Sequence, residues 1–152
     1  MRRVFGCFPS GVAAVCARLD DALVGIAASA FTPVSLDPPL VSLCVQNTST
    51  TWPRLRMAPR LGISVLAATQ DVACRRLAAK GGDRFAGLDV RTTAEGAVLV
   101  RGAVAWFACS IRDEVPAGDH TIVLMQVHTL DGRHDVDPLV FHASRFRTLA
   151  AS

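Results

Sequence analysis

Tyrosine is absent from this sequence, Lys80 is its only lysine, and aromatic residues make up just 6%. The basic residues are therefore almost all arginines, spread along the chain, with a net charge of +3. That balance permits an anionic ligand. It lacks the basic stripe with interleaved aromatics that a nucleic-acid-binding surface needs, so no nucleic-acid partner is expected. No uninterrupted apolar run reaches membrane-spanning length, so no membrane partner is expected either. Arg2-Arg3 is followed by Pro9 and Gly11 rather than by a long apolar stretch and cleavage pattern, which speaks against a secretory leader. Cys7, Cys16, Cys44, Cys74 and Cys109 are odd in number, widely spaced and form no Cys-x-x-Cys pair. They read as reduced structural thiols in a cytoplasmic protein. Gly-x-Gly-x-x-Gly, a phosphate loop ending in Gly-Lys-Ser/Thr and a Gly-x-Ser-x-Gly elbow are all missing. His120, His128, His134 and His142 show no metal-ligand spacing, so no metal is expected.

What is present is a chain rich in apolar residues: 51% hydrophobic against 19% charged. Such a composition buries a core, and residues 1–152 fit one domain. The apolar excess also leaves room for burial between subunits. Strand patterns dominate: Val12 to Arg18, Leu23 to Phe31, Leu40 to Val45, Leu61 to Ala67, Val98 to Val100, Val104 to Val115, Thr121 to Leu130 and Leu139 to His142. Leu19-Asp20-Asp21-Ala22 reads as the turn of a hairpin, and Pro116-Ala117-Gly118-Asp119 as the link between two long strands. Helices are few and short. One is expected through Trp52 to Met57, capped by Ser49 or Thr50; a second from Gln70 to Ala79, capped by Thr69; and a brief one near Val4 to Phe8. Many strands without alternating βα units imply a mainly β barrel or sandwich.

Two hydroxyl-rich segments follow strands. Ser29-Ala30-Phe31-Thr32-Pro33-Val34-Ser35-Leu36-Asp37-Pro38-Pro39 offers small side chains that let a flat ligand approach the backbone, or is a hydroxyl-rich turn. Gln46-Asn47-Thr48-Ser49-Thr50-Thr51 opens a short helix, where hydroxyls and free amides suit a phosphate; an ordinary N-cap would need only one of them. Two further segments, Lys80-Gly81-Gly82-Asp83-Arg84-Phe85 and Gly118-Asp119-His120-Thr121, read on their own as a solvated helix end and a half-exposed strand start.

The segment from Ser29 to Pro39 resembles the flavin reductase-like family, whose pattern runs close to Asn-Ser-Phe-Thr-Ser-Val-Ser-Leu-Asp-Pro-Pro, and the resemblance extends over nearly the whole chain. It implies an FMN-binding split barrel of antiparallel strands with a few short helices, acting as a homodimer. It implies binding of FMN or FAD by Ala28, Ser29, Ala30, Phe31, Thr32 and Ser35 along the ring, and by the loop from Gln46 and Asn47 through Ser49, Thr50 and Thr51 at the phosphate. Asp83, Arg84 and Phe85 would lie beside the flavin, and His120 of the Gly-Asp-His motif near flavin and nicotinamide. Arg145 and Phe146 would help to hold a nucleotide, although His142 and Phe146 stand where the family commonly has tyrosines. Ser29, Ala30 and Pro33 depart from the family's Asn, Ser and Ser, and Thr50 from its frequent Arg. The implied activity is hydride transfer from NADH or NADPH to flavin, with reduced flavin passed to a separate monooxygenase. Such chemistry asks the protein for orientation and electrostatics rather than a nucleophile, which accords with the motifs that are missing. A non-catalytic flavin- or haem-binding protein, or a flavin-dependent oxidase or reductase of the same fold, would share these features.

Overall fold

The computed structural model describes Met1 to Ala151. In chain order the elements are α1 (Arg2–Phe5), β1 (Ser10–Gly11), β2 (Ala13–Leu19), β3 (Ala22–Ala28), β4 (Thr32–Leu36), β5 (Pro39–Gln46), α2 (Trp52–Leu55), β6 (Leu61–Val65) and α3 (Asp71–Leu77). They continue with β7 (Val90–Thr92), β8 (Val98–Val100), β9 (Ala105–Ala117), β10 (His120–Gly132), β11 (Val140–His142) and β12 (Arg145–Arg147). The chain is thus mainly β with few helices, as its patterning predicts. Seven strands form one antiparallel sheet in the order β3-β2-β6-β9-β10-β5-β4, with β3 and β4 as its unpaired edges. Small sheets of β1-β11-β12 and β7-β8 lie apart from it.

Turn chemistry sets the registers. Asp20 and Asp21 both take positive φ, as a two-residue type I′ turn demands, and Leu19 then faces Ala22. The link between β9 and β10 is tighter than Pro116 suggests. Pro116 and Ala117 are still in β9, Ala117 faces His120, and Gly118 alone supplies the positive φ. Along this hairpin Arg112 and later His128 are extra residues that break the register, so the two long strands bend and twist.

That curvature lets one sheet enclose a core. Alternate residues of β2, β5, β6 and β10 (Val15, Leu43, Ile63 and Val123 among them) meet in a single inner cluster. Strand β2 is buried on both faces. Ala13, Val15 and Ala17 enter the inner cluster, while Ala14 and Cys16 face an outer layer of Leu77 from α3 and Val98 and Val100 from β8. Only small side chains leave room for two layers. At Gly62 a Cβ would overlap the backbone of Val98, and at Gly25 it would press on Phe85, Cys16 and Leu77. Burial pushes the Cys16 and Cys109 thiols up to about 12, leaving them as small hydrophobes.

Several local expectations are corrected. Thr32–Leu36 is an edge strand rather than loop, pairing with β5. Strands β1, β7 and β12 are too short to show periodicity in sequence. The helix expected near Val4 to Phe8 lies earlier, at Arg2–Phe5. Helix α2 starts at Trp52 as expected but ends at Leu55, and its N-cap is Thr51 rather than Ser49 or Thr50, although Ser49 Oγ accepts from the Trp52 amide at 3.1 Å. Helix α3 is shorter than expected and capped at Gln70, without a side-chain capping bond. The Gln70 amide instead ties two loops, accepting from Ala67 N at 2.9 Å and donating to Arg101 O at 2.8 Å.

The close passage of β6 under β8 yields a prediction. Gly62→Ala should destabilise the fold by about 3 kcal/mol or more, because the obstruction is backbone and cannot rotate away. Urea denaturation measures it, and a change within about 0.5 kcal/mol would contradict the packing described.

Candidate functional site

Strands β3 and β5 do not pair, and the C-terminal residues of both line a cavity of about 690 Å³ that fills the gap between them. One wall is Ile26 to Ala30, where only small residues follow Ile26. The opposite wall is Cys44 to Gln46 with the loop Thr48 to Thr51, and His120 closes one side. Leu77 at the end of α3, Ala78 and Lys80 just after it, and Arg84 form the lip. A second cavity of about 290 Å³ adjoins it and shares Thr51, Lys80 and Arg84 with the first.

Of the residues singled out in the sequence, Ala28, Ser29, Ala30, Gln46, Ser49, Thr50, Thr51, Arg84 and His120 line the main cavity. Asp83 and Phe85 line the adjoining one, where Asp83 Oδ1 accepts from the Phe85 amide at 3.0 Å and Phe85 packs on Gly25. Phe31 turns into the inner core against Phe107, with ring centroids 5.4 Å apart. Thr32 and Ser35 pair along β4 with Ser42 and Leu40, outside the cavity lining. Arg145 and Phe146 lie on β12, where Phe146 packs on Phe141 at 5.6 Å and beneath Arg75 at 5.2 Å. Sequence reasoning passed over Ile26, Ala27, Cys44, Val45, Leu77, Ala78 and Lys80 as lining. Most are apolar strand or helix ends, which carry no chemical signal until the topology brings them to one gap. Lys80 had a signal, as a lone lysine before two glycines.

The polar groups are already organised. Arg84 donates to Gly25 O at 2.9 Å and to Thr51 Oγ1 at 3.0 Å, which fixes its guanidinium between the two cavities. Ser49 and Thr51 each accept one hydrogen bond, and each hydroxyl keeps its own proton to donate. Asn47 points away, donating to Gly118 O at 3.1 Å and accepting from Thr121 Oγ1 at 2.9 Å, while its amide donates to Asp119 O at 3.0 Å. His120 Nδ1 lies 2.7 Å from Asp119 Oδ1. That contact holds the exposed Asp119 carboxyl below its ordinary value, with smaller help from the Arg2 guanidinium. With Asp119 ionised, Nδ1–H donates to it and the imidazole orientation is set by that bond.

Helix α2 and its loop are anchored from outside. Glu114 of β9 accepts from Arg56 at 2.7 Å and from the Trp52 indole at 3.2 Å. Trp52 is buried in the inner core.

Small residues beside a polar, cationic lip are the donor set a flavin phosphate would need, and the cavity lies within the usual ligand-pocket range of about 300–1,000 Å³. The comparisons agree. Residues 5–150 match the model for the flavin reductase like domain. The chain belongs to that family. Among its curated relatives in the family is a flavin reductase of Pseudomonas putida, 37% identical over 99% of this chain and 89% of the relative. A reductase subunit of a flavin-dependent monooxygenase from Rhodococcus jostii is 31% identical over 95% of this chain and 74% of the relative. Among solved structures, the Streptomyces globisporus NADH:FAD oxidoreductase in complex with NAD and FAD fragments superposes with a TM-score of 0.92. It is 40% identical, over 98% of this chain and 90% of that one. In this member of the family, no helix among the described residues is long and apolar enough to cross a membrane.

Glu114 makes the anchoring of α2 testable by pH. Its carboxyl is held below the ordinary value, first by the Arg56 hydrogen bond and also by Trp52, against a raising effect of burial. Such a group contributes stability that is present above its unfolded pKa of about 4.3 and lost as pH falls through the lower folded value. Wild type should therefore lose stability more steeply than Glu114→Gln between about pH 5 and pH 3. Denaturation curves at each pH compare them; parallel losses would mean that Glu114 does not hold α2 through its charge.

Proposed function

We propose that the chain is an NAD(P)H-dependent flavin reductase working on FMN or FAD and supplying reduced flavin to a separate monooxygenase. The observation that carries this reading is the gap between β3 and β5, with its small-residue wall and hydroxyl-and-cation lip. The relatives' activities support it. The open seven-stranded sheet curled around one core supports a split barrel in a single domain. Apolar side chains left exposed on the edge strand, Leu36 at 97% and Val34 at 51%, support a homodimer. Free cysteines support a cytoplasmic setting, where reduced nicotinamides are available.

A flavin bound in the gap would supply the hydride acceptor, and the protein's part is to hold and orient it beside the nicotinamide. Ala28, Ser29 and Ala30 let the ring approach the backbone. Ser49 and Thr51 donate their hydroxyl protons to the phosphate, and Lys80 and Arg84 offset its charge. The adjoining cavity gives the larger FAD room beyond Arg84. His120, fixed by Asp119, orients the nicotinamide rather than supplying a proton.

Oxidation of NADH and NADPH with added FMN, FAD or riboflavin tests the activity directly, and no oxidation with any pair would overturn it. Replacing Ser49 and Thr51 with alanine removes two neutral donors, each contributing about 0.5–1.5 kcal/mol. FMN binding should weaken while riboflavin, which lacks the phosphate, is little affected; equal losses would remove the loop from phosphate binding. For His120, rapid-mixing rates of flavin reduction should fall more in His120→Ala than in His120→Asn, with flavin affinity largely kept. An equal steep loss in both, following one protonation near pH 6.5, would instead make the imidazole an acid.

A further inference from the structure

The far end of the β9–β10 hairpin carries a second concavity that the redox chemistry does not use. Its volume is about 250 Å³, and its rim brings Arg91 of β7, Arg101 after β8 and Arg133 after β10 around Trp106 of β9. Its lining shares no residue with the main cavity: Trp106 lies three strands from Ala27 of that cavity's wall, through Ser64 and Ala14, about 14 Å across the sheet, and Val100 packs over Ser64 between them.

The charges are unequally matched. Arg101 lies 3.2 Å from Asp89, and Arg133 only 3.8 Å from Asp135. Both pairs are well exposed, and such pairs exchange partners readily. Arg91 makes no ion pair among the described residues; its guanidinium lies over the Trp106 ring, 4.9 Å from the centroid. Stacking on an aromatic face leaves the in-plane N–H groups of an arginine free to meet a carboxylate or phosphate edge-on. Asp131 is the one carboxylate in the lining, and its Oδ1 is already accepting from the Gly132 amide at 2.8 Å. Leu99, Val104 and Trp106 supply apolar wall between the guanidinia. An anion with no apolar body would leave that wall wet, and a neutral apolar molecule would leave Arg91 unmatched. The volume lies just under the usual range for ligand pockets of about 300–1,000 Å³, which limits the guest to roughly one ring.

We propose that this concavity is a second binding site, for a small aromatic carboxylate whose acid group meets Arg91 and Arg133 and whose ring packs beside Trp106. It stands independently of the flavin site.

Trp106 reports on its own pocket. In ¹H–¹⁵N spectra of the full chain the indole N–H of Trp106 is separated from that of Trp52, the other tryptophan, with a Trp106→Phe variant. Sodium benzoate should move the Trp106 signal saturably, with benzyl alcohol and inorganic phosphate each at least about tenfold weaker. Arg91→Ala should weaken benzoate about tenfold while keeping the circular dichroism of wild type. If that variant does not fold, Arg133→Ala, at an exposed position after the strand, should show the same direction of change. FMN should leave the Trp106 signal in place. The proposal is overturned if benzoate gives no saturable shift, if benzyl alcohol or phosphate binds as well, if a folded arginine variant binds benzoate like wild type, or if FMN displaces it.

Discussion

Burial of β2 on both of its faces is the constraint on which the remaining structure rests. A strand with core on each side must carry side chains small enough for two layers to approach, and Ala13, Ala14, Cys16 and Ala17 meet that requirement. The inner layer closes under the curved sheet, and the outer layer brings α3 and the β7–β8 hairpin against its back. Gly25 and Gly62 sit where neighbouring groups cross closest, so the outer layer is seated by the absence of side chains as much as by their presence. With α3 seated there, its C-terminal end and the Lys80–Phe85 segment reach the mouth of the gap between β3 and β5.

The candidate site inherits its shape from that arrangement. Its walls are strand ends held by ladder hydrogen bonds and by the inner core. Its polar lip consists of loops, which are less firmly held unless something fastens them. Here the fastenings are visible. Arg84 joins the β3 backbone to Thr51, Glu114 holds Trp52 and Arg56, and Asp119 holds His120. A site organised before its ligand arrives loses less freedom on binding.

Much of the strand content was legible because alternation and apolar runs report burial directly, as in Leu40 to Val45 and Leu61 to Ala67. The two aspartates of Leu19-Asp20-Asp21-Ala22 fixed a hairpin because few other residues tolerate two successive positive φ angles. The edge strand Thr32–Leu36 was hidden because its residues are mostly exposed and two of them are hydroxylated. Exposure removes the hydrophobic pattern that identifies a strand. At the site, polar positions such as Ser49, Thr51, Arg84 and His120 stood out from the residue chemistry and the family pattern. Ile26, Ala27 and Leu77 did not, since an apolar side chain facing a cavity looks the same in sequence as one facing the core. Asn47 and Phe31 drew attention for their type, and their places are taken by a turn and by the inner core.

The bonds of Asn47 carry a consequence beyond local order. Three hydrogen bonds tie the loop bearing Ser49 and Thr51 to the turn bearing His120, through Asp119, Gly118 and Thr121. The two loops are therefore one mechanical part, and a shift at one end is transmitted to the other. On the roles proposed for Ser49, Thr51 and His120, grip on the flavin tail and aim of the hydride donor would become a single variable. On the same reading, a change of flavin preference would carry a change of rate with it unless the bonds of Asn47 were altered first.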